Sequence, residues 1–345
     1  YSTTVNVSTP VAVLTINSLP TASNVQVTPA SPSTSDSLTA SFTYADDEGD
    51  VESGTLIEWF KDGVEQTSFE NESSVASSNT AKGQKWNIRV TPKDGREFGN
   101  AVTAANVSIG NTGPSVSSVT FNDSSLTTLE DISASTTFTD GDADTGSVFF
   151  QWYVNNSKVF NETVSSVANG SSATSVLSGT NFSKADTVNV SVAGNDGSSS
   201  SSTVNSGNLV VGNTAPAASS LSLTPFNPDT NDDLTASFTY SDADNDVQAQ
   251  SLLKWFRNDS EQSALENQST VDETNTAKGD SWRFSVTPFD GEDFGNEVSS
   301  LLVTIGSAAP TLTVPTFNNT APKTFEDILA NTSYSDVDGD SGNVT

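Results

Sequence analysis

The sequence repeats itself, and that repeat limits what the chain can fold into. Leu38 and Leu234 lie 196 residues apart, and the same offset carries every position of 38–149 onto its equivalent without a gap. LTASFTY stands at 38–44 and 234–240, NTAKG at 79–83 and 275–279, and DGREFGN at 94–100 answers DGEDFGN at 290–296. Self-similarity at a fixed period marks a tandem array of modules. Prolines divide the period again: Pro20, Pro114, Pro216 and Pro310 open units of two alternating kinds. Asn17, Asn111 and Asn213 stand three residues before the first three prolines, and Ser307 takes that place at the fourth. The chain therefore divides into A1 (20–113), B1 (114–215) and A2 (216–309). Residues 1–19 are expected to be the last strand of a preceding B-type unit, and 310–345 the first strands of a further one. The two part-units suggest a window on a longer polymer. Head-to-tail pairing of those part-units between subunits, by strand donation, is the competing expectation.

Each unit has the pattern of a β domain, with strand signals every 8–12 residues or so, as in a sandwich. Leu38, Ala40, Phe42 and Tyr44 alternate with Thr and Ser, as do Ile132, Ala134, Thr136 and Phe138 with their neighbours. That period of two belongs to a half-buried strand. The next strand carries Ile57 and Trp59, Phe150 and Trp152, or Leu253 and Trp255. A later strand carries Trp86, Ile88 and Val90, matched by Val188, Val190 and Val192 and by Trp282, Phe284 and Val286. An Asp-Gly pair, the signal of a hairpin turn, follows each time: Asp94-Gly95, Asp196-Gly197 and Asp290-Gly291. Helical periodicity is absent. The expected fold is all-β, a tandem array of immunoglobulin-like β-sandwich domains in alternating A/B pairs. There is no cysteine, so the cores must rest on aromatics rather than on a cystine.

Charge narrows the partners. Among 345 residues, Lys+Arg number 13 against 43 Asp+Glu, a formal net charge of -30. Phosphate binding needs basic patches, so neither nucleic acid nor an anionic membrane is expected as a partner. No apolar run approaches the ~20 residues of a membrane-spanning helix. Cations are the natural small partners.

The acids are not scattered. They fall two, four and six residues after an aromatic that closes the second strand: Asp46, Glu48, Asp50; Asp140, Asp142, Asp144; Asp242, Asp244, Asp246; and Asp336, Asp338, Asp340. Alternate carboxylates in a loop can converge on one centre, and Ca²⁺ takes six to eight oxygens from such loops. In an immunoglobulin sandwich the B–C and F–G loops share one end. The acidic loop would be B–C and the Asp-Gly turn F–G, so Asp94, Asp196 and Asp290 should approach the acids of their own unit. The preceding joint should lie close by. The alternative is a solvated acidic loop serving solubility, since Asp also favours turns for local reasons. Against it, the acids keep one register while their neighbours vary. Without a cation the carboxylates would repel one another.

Enzymatic activity is not expected. With no histidine and no cysteine, triads and dyads that use them are excluded. Paired carboxylates could serve a glycosidase, but a catalytic pair has no reason to be copied down an array, whereas structural ligands do.

The recurring Y-x-D-x-[DE]-x-D, the WF/WY strand, the K-G-[QD]-x-W at 82–86 and 278–282, the D-G hairpin and the N-T-[AG]-P joint together resemble tandem immunoglobulin-like and cadherin-like repeat domains of prokaryotic cell-surface proteins. B1 departs from the K-G-x-x-W part, with KADTV at 184–188. The resemblance implies an extracellular structural repeat: a segment of a cell-surface filament, surface-layer protein or adhesin stalk, associating with copies of itself. In the cadherin arrangement, acids of one domain and a linker ending in Asn-Ala-Pro share Ca²⁺. By that resemblance Asn111 and the linker up to Pro114 would face Asp140, Asp142 and Asp144. The present linkers lack that family's other linker acids.

An exported context would also admit N-linked glycans. Sequons occur at Asn6, Asn71, Asn106, Asn122, Asn155, Asn161, Asn169, Asn181, Asn189, Asn258, Asn267, Asn318, Asn331 and Asn343. Asn161, Asn169 and Asn181 lie in the least apolar part of B1 and are the favoured acceptors. Lys82, Lys184 and Lys278 recur at one register. The commoner role of such a lysine is a stem laid over apolar surface; a Lys–Asn isopeptide bond, as in some surface adhesins, is the sharper alternative. The second function class is a binding module, with Phe60, Tyr153 and Phe256 as candidate platforms for surface glycans or another cell; packing under a loop is the commoner role of such aromatics.

Overall fold

The computed structural model describes Tyr1 and residues 16–342. The strand expected in 1–19 lies almost entirely outside the described residues, as do Asn6 and Asn343.

A1 is built from eight strands: β1 (Thr21–Thr28), β2 (Leu38–Ala45), β3 (Leu56–Lys61), β4 (Val64–Glu65), β5 (Ser74–Val75), β6 (Lys85–Thr91), β7 (Val102–Thr103) and β8 (Val107–Ser108). One sheet has the order β1-β2-β5; the other has the order β4-β3-β6-β7, with β8 also paired to β6. All pairings are antiparallel. The two sheets face each other across one core. Val27, Leu38 and Val75 come from the first; Trp59, Trp86, Ile88, Val90 and Val107 come from the second. Trp59 is fully buried, and its ring meets Trp86 edge-on with centroids 6.3 Å apart. Alternation on β6 places Trp86, Ile88 and Val90 inward and Asn87 and Arg89 outward, as the pleat requires.

Three connections set the ends of the sandwich. β3 turns into β4 through Asp62 and Gly63, both at positive φ (49° and 79°), the tight turn that twisted hairpins favour. That turn lies at the far end. The β2–β3 connection and the β6–β7 connection lie together at the other end, where Ser53 and Asp94 form an isolated parallel bridge.

B1 keeps the plan with longer strands: β9 (Ser115–Val116), β10 (Thr120–Phe121), β11 (Ile132–Thr139), β12 (Gly146–Val154), β13 (Ser157–Val167), β14 (Ser172–Leu177), β15 (Thr187–Asn195), β16 (Val204–Asn205) and β17 (Leu209–Val210). β9, β10 and β14 flank β11, and the second sheet runs β13-β12-β15-β16 with β17 on β15. The poorly apolar stretch of the sequence becomes β13, which lies along β12 from Gly146 to Val154. Where A1 has a second tryptophan, B1 places Val188, and Phe138, Phe150 and Phe182 join Trp152 in the core.

A2 repeats the topology of A1, with principal strands Leu234–Ser241, Leu252–Arg257 and Ser281–Thr287. Its core holds Trp255, Trp282 and Phe284. Beyond it, Thr311–Leu312 pairs with Tyr334–Ser335 and Thr316–Phe317 with Ala330–Asn331, as β9 and β10 pair with β11 in B1. Leu312, Phe317 and Ile328 are exposed there, whereas B1 buries Ile132 and packs Val116 and Phe121 onto its core. Among the described residues no helix is long and apolar enough to cross a membrane.

Candidate metal centre at the joints

The acidic loop follows β2 in A1 and β11 in B1, so its acids stand at the end of the sandwich where the chain enters from the preceding unit. The first acid organises the loop. In B1, Asp140 Oδ1 accepts the amide hydrogens of Asp142 (2.8 Å) and Asp144 (3.1 Å). Asp242 Oδ1 does the same for Asp244 and Asp246, Asp336 Oδ1 for Asp338 and Asp340, and Asp46 Oδ1 for Glu48 and Asp50. One oxygen of each first acid is thus spent on the loop's own backbone. The second oxygen, Oδ2 of Asp46, Asp140 and Asp242, is buried with no hydrogen-bond partner. Asp140 is 6% exposed. A buried carboxylate oxygen left without a donor is costly. Asp336 differs, its Oδ2 accepting the Tyr334 hydroxyl at 3.4 Å.

The expected acids converge in part. Carboxylate oxygens of Asp140, Asp144 and Asp196 lie within 4.8 Å of one another, as do those of Asp242, Asp244 and Asp246 and those of Asp336, Asp338 and Asp340. In B1 the F–G aspartate, Asp196, joins the cluster and Asp142 does not. Asp142 Oδ2 accepts the Thr112 amide of the linker (2.8 Å), as Asp244 and Asp338 accept those of Thr214 and Ala308 (2.6 and 2.7 Å), and its Oδ1 accepts the Thr34 hydroxyl of A1. In A2 the three loop acids cluster, and Asp290 stands apart from them. The A1 acids Asp46, Glu48 and Asp50 form no such group: Glu48 reaches back to the amide and hydroxyl of Ser18 (3.0 and 2.7 Å). That linker amide is the equivalent of the one that the second acid holds in the other loops.

The Asp-Gly turns are four-residue loops closed by the bridges Lys93–Phe98, Asn195–Ser200 and Phe289–Phe294. Gly95, Gly197 and Gly291 take φ of 87°, 90° and 104°, which favours glycine. The turn aspartates bind the linker asparagines: Asn17 Nδ2 donates to Asp94 Oδ2 (2.8 Å), Asn111 to Asp196 (2.8 Å) and Asn213 to Asp290 (2.9 Å). Hydrogen bonds from the Glu97 amide, the Asn17 side chain and the Arg96 amide hold Asp94 down to about 2. Burial alone would raise Asp196, but bonds from Asn111 and the amides of Ser199 and Ser198 hold it well below the usual carboxylate range. The joint prolines also fit closely here. A Cβ on Gly99 or Gly295 would lie 1.9 Å from the carbonyl oxygen of Pro20 or Pro216.

The recurring lysines reach across the joints. Lys82 Nζ donates to Asn111 Oδ1 (2.6 Å) and to Asp144 Oδ2 of the next unit (2.7 Å). Lys184 donates to Asn213 (2.6 Å), to Asp246 (2.8 Å) and to Glu292. Lys278 meets Asp340 at 2.6 Å. Asp144, Asp246 and Asp340 respectively push these amines up. A protonated amine has no lone pair to attack an amide, so the arrangement favours an ion pair over an isopeptide bond. Neither this role nor that of Arg96 was expected from the sequence. Arg96 bonds Asn17 Oδ1 (3.1 Å) and Asp50 Oδ2 (3.2 Å), the equivalents of the two groups that Lys82 holds one joint later.

The other expected sites fare unevenly. Asn71, Asn106, Asn122, Asn155, Asn161, Asn169, Asn181, Asn258, Asn267, Asn318 and Asn331 are exposed, and Asn189 is half-buried. Several serve the fold: Asn155 and Asn258 hold the amides of Thr187 and Ser281, and Asn169 Oδ1 accepts the Asp140 amide at 2.9 Å. Phe60 and Phe256 lie beneath the guanidinium groups of Arg89 and Arg283, 5.2 and 4.0 Å from the ring centroids, so neither is a bare platform.

Sandwiches of this topology, set end to end, place the chain in the class of tandem immunoglobulin-like and fibronectin-like β-sandwich proteins. No protein family and no curated protein matches the sequence. Among solved structures the chain is similar to the FN1-FN3 domains of chicken CNTN1, at 8% identity and a TM-score of 0.27, over 83% of this chain and 98% of that one. It is similar to the chicken interferon gamma receptor alpha chain at 12% identity and a TM-score of 0.37, over 56% of this chain and 100% of that one. A two-domain fibronectin type III segment of chicken tenascin matches at 14% identity and a TM-score of 0.30, over 55% of this chain and 99% of that one.

Proposed function

We propose that this chain is a segment of an extracellular structural array, a cell-surface filament, surface layer or adhesin stalk, whose acidic B–C loops bind Ca²⁺ beside the joints between units. The array works mechanically rather than catalytically. Each sandwich buries its own core, and the cation replaces repulsion among carboxylates with coordination. The joint stiffens because the same loop also holds the linker. N-linked glycans and the net charge of -30 keep neighbouring rods hydrated and apart.

One observation carries the reading. The first acid of the loop leaves one buried oxygen without a donor at the same place in A1, B1 and A2. In B1 and A2 that acid belongs to a cluster with two further carboxylates. A hard cation that takes oxygen ligands supplies what those atoms lack. Isothermal titration of the chain with Ca²⁺, after dialysis against chelator, tests it. Saturable binding that loses one site in Asp140→Asn and another in Asp242→Asn is expected. Absence of saturable heat would contradict it.

A further inference from the structure

We propose that the lysine of each unit is a resident counter-cation of the next unit's acidic loop, and that a divalent ion and this ammonium compete for the loop. The inference rests on the cation-binding reading above and adds how the site is regulated. The geometry recurs. Lys82, Lys184 and Lys278 meet Asp144, Asp246 and Asp340, each the third acid of the loop one unit on. Each contact spans 62 positions of sequence. Asp144 is also one of the three carboxylates gathered in B1, and Asp246 and Asp340 belong to their own clusters. The third acid is thus shared by two possible cations.

In the first loop an arginine fills the same place. In A1 the Arg96 guanidinium of the unit's own F–G turn bonds Asp50 and Asn17. At position 292, the equivalent of Arg96, A2 has Glu292, which instead accepts Lys184. A positive side chain therefore faces the third acid at every described loop, in a chain with only 13 Lys+Arg. The site also has an opening for a second cation. Asp140 Oδ2, on a residue 6% exposed, is buried without a partner, and the ammonium does not reach it.

Two positive charges on one carboxylate repel, so each weakens the binding of the other, and by linkage the effect is reciprocal. With the divalent ion absent, the ammonium holds the joint. With the ion bound, the lysine leaves the third acid and becomes free to solvent. The third acid then exchanges the ammonium for the ion, while the second acid of the same loop keeps the linker amide and so ties the ordered loop to the joint.

The test uses the full chain with Ca²⁺ as the probe, comparing wild type with Lys82→Met/Lys184→Met/Lys278→Met. Methionine keeps the apolar stem and removes the charge; a Gln triple variant checks that any change follows charge rather than packing. The expected result is Ca²⁺ binding about fivefold tighter or more in both variants. In wild type, acylation of these three lysines, read by mass spectrometry, should quicken when Ca²⁺ is added, while that of Lys158 should not. Equal affinity in wild type and variants, with unchanged lysine reactivity, overturns the competition and leaves cation binding standing. No binding to any of the proteins overturns both.

Discussion

Asp140 has one carboxylate oxygen fixed by the loop's own amides and the other buried without a donor. Asp140→Asn replaces that charge with a neutral amide. In chelator the variant should melt no lower than wild type. In Ca²⁺ at ~100 times the Kd, wild type should gain about 2.7 kcal/mol per occupied site and the variant one site less. Calorimetry of both proteins in both buffers checks this. Asp94 makes a prediction about pH. Its carboxyl is held down to about 2 from an ordinary value of 3.8, so the folded state binds its proton more weakly than the unfolded chain. The stability it contributes is complete above about pH 4 and is lost as pH falls toward 2. Unfolding of A1 followed from pH 6 to 2 should therefore steepen in that window for wild type and less so for Asp94→Asn; identical profiles would show that the linker bond does not matter. Gly295 is set by space rather than by backbone freedom. Gly295→Ala places a Cβ 1.9 Å from the Pro216 carbonyl oxygen, and should cost A2 ~1–3 kcal/mol in denaturant unfolding.

At the scale of the element, the tryptophan strand anchors each sandwich. Trp255 is fully buried and touches Trp282 and Phe284 at 6.2 and 5.8 Å between ring centroids. Trp255→Ala should cost about 3–5 kcal/mol and unfold A2 ahead of B1, seen as a split melting transition. A single transition at the wild-type midpoint would mean that the core repacks around the loss. These strands were legible in the sequence because period-two alternation follows directly from the pleat; the Asp-Gly pairs marked where the chain turns, though the turn is a four-residue loop rather than a two-residue one. The grouping of the acidic loop with the Asp-Gly turn at one end followed from topology alone. What the sequence hid is which acids converge. In B1 Asp142 accepts the Thr34 hydroxyl of A1 and Asp196 stands in the cluster in its place. In A1 the loop acids do not gather, although Glu48 holds the linker amide just as Asp142, Asp244 and Asp338 do in the other loops. The lysines were legible as a register and not as a contact, because each partner lies in another unit, 62 positions on. No local pattern reports a bond of that span. Arg96 does at its own joint what a lysine does at the others, and no repeat pattern could single it out because its equivalent is Glu292.

At the scale of the whole molecule, the chain is a series of small cores joined through charged ends. Such arrays owe their stability to each unit and to its contact with the next. Here the contact is made of a linker asparagine bound to the F–G turn, a lysine bound to the following loop, and carboxylates that a divalent ion would draw together. The first two hold without metal and the third does not, so stiffness should vary with Ca²⁺ rather than switch on from nothing. Raising salt in chelator should loosen the joints, because exposed ion pairs are screened over roughly 10 Å at 0.1 M. The most direct measurement is small-angle scattering of the chain in millimolar Ca²⁺ and in chelator, with thermal unfolding on the same samples. A longer, stiffer particle and a higher melting temperature in Ca²⁺ are the results predicted here. Superimposable scattering and melting curves would contradict the account, leaving the linker hydrogen bonds and the lysine ion pairs to fasten the units without a divalent ion.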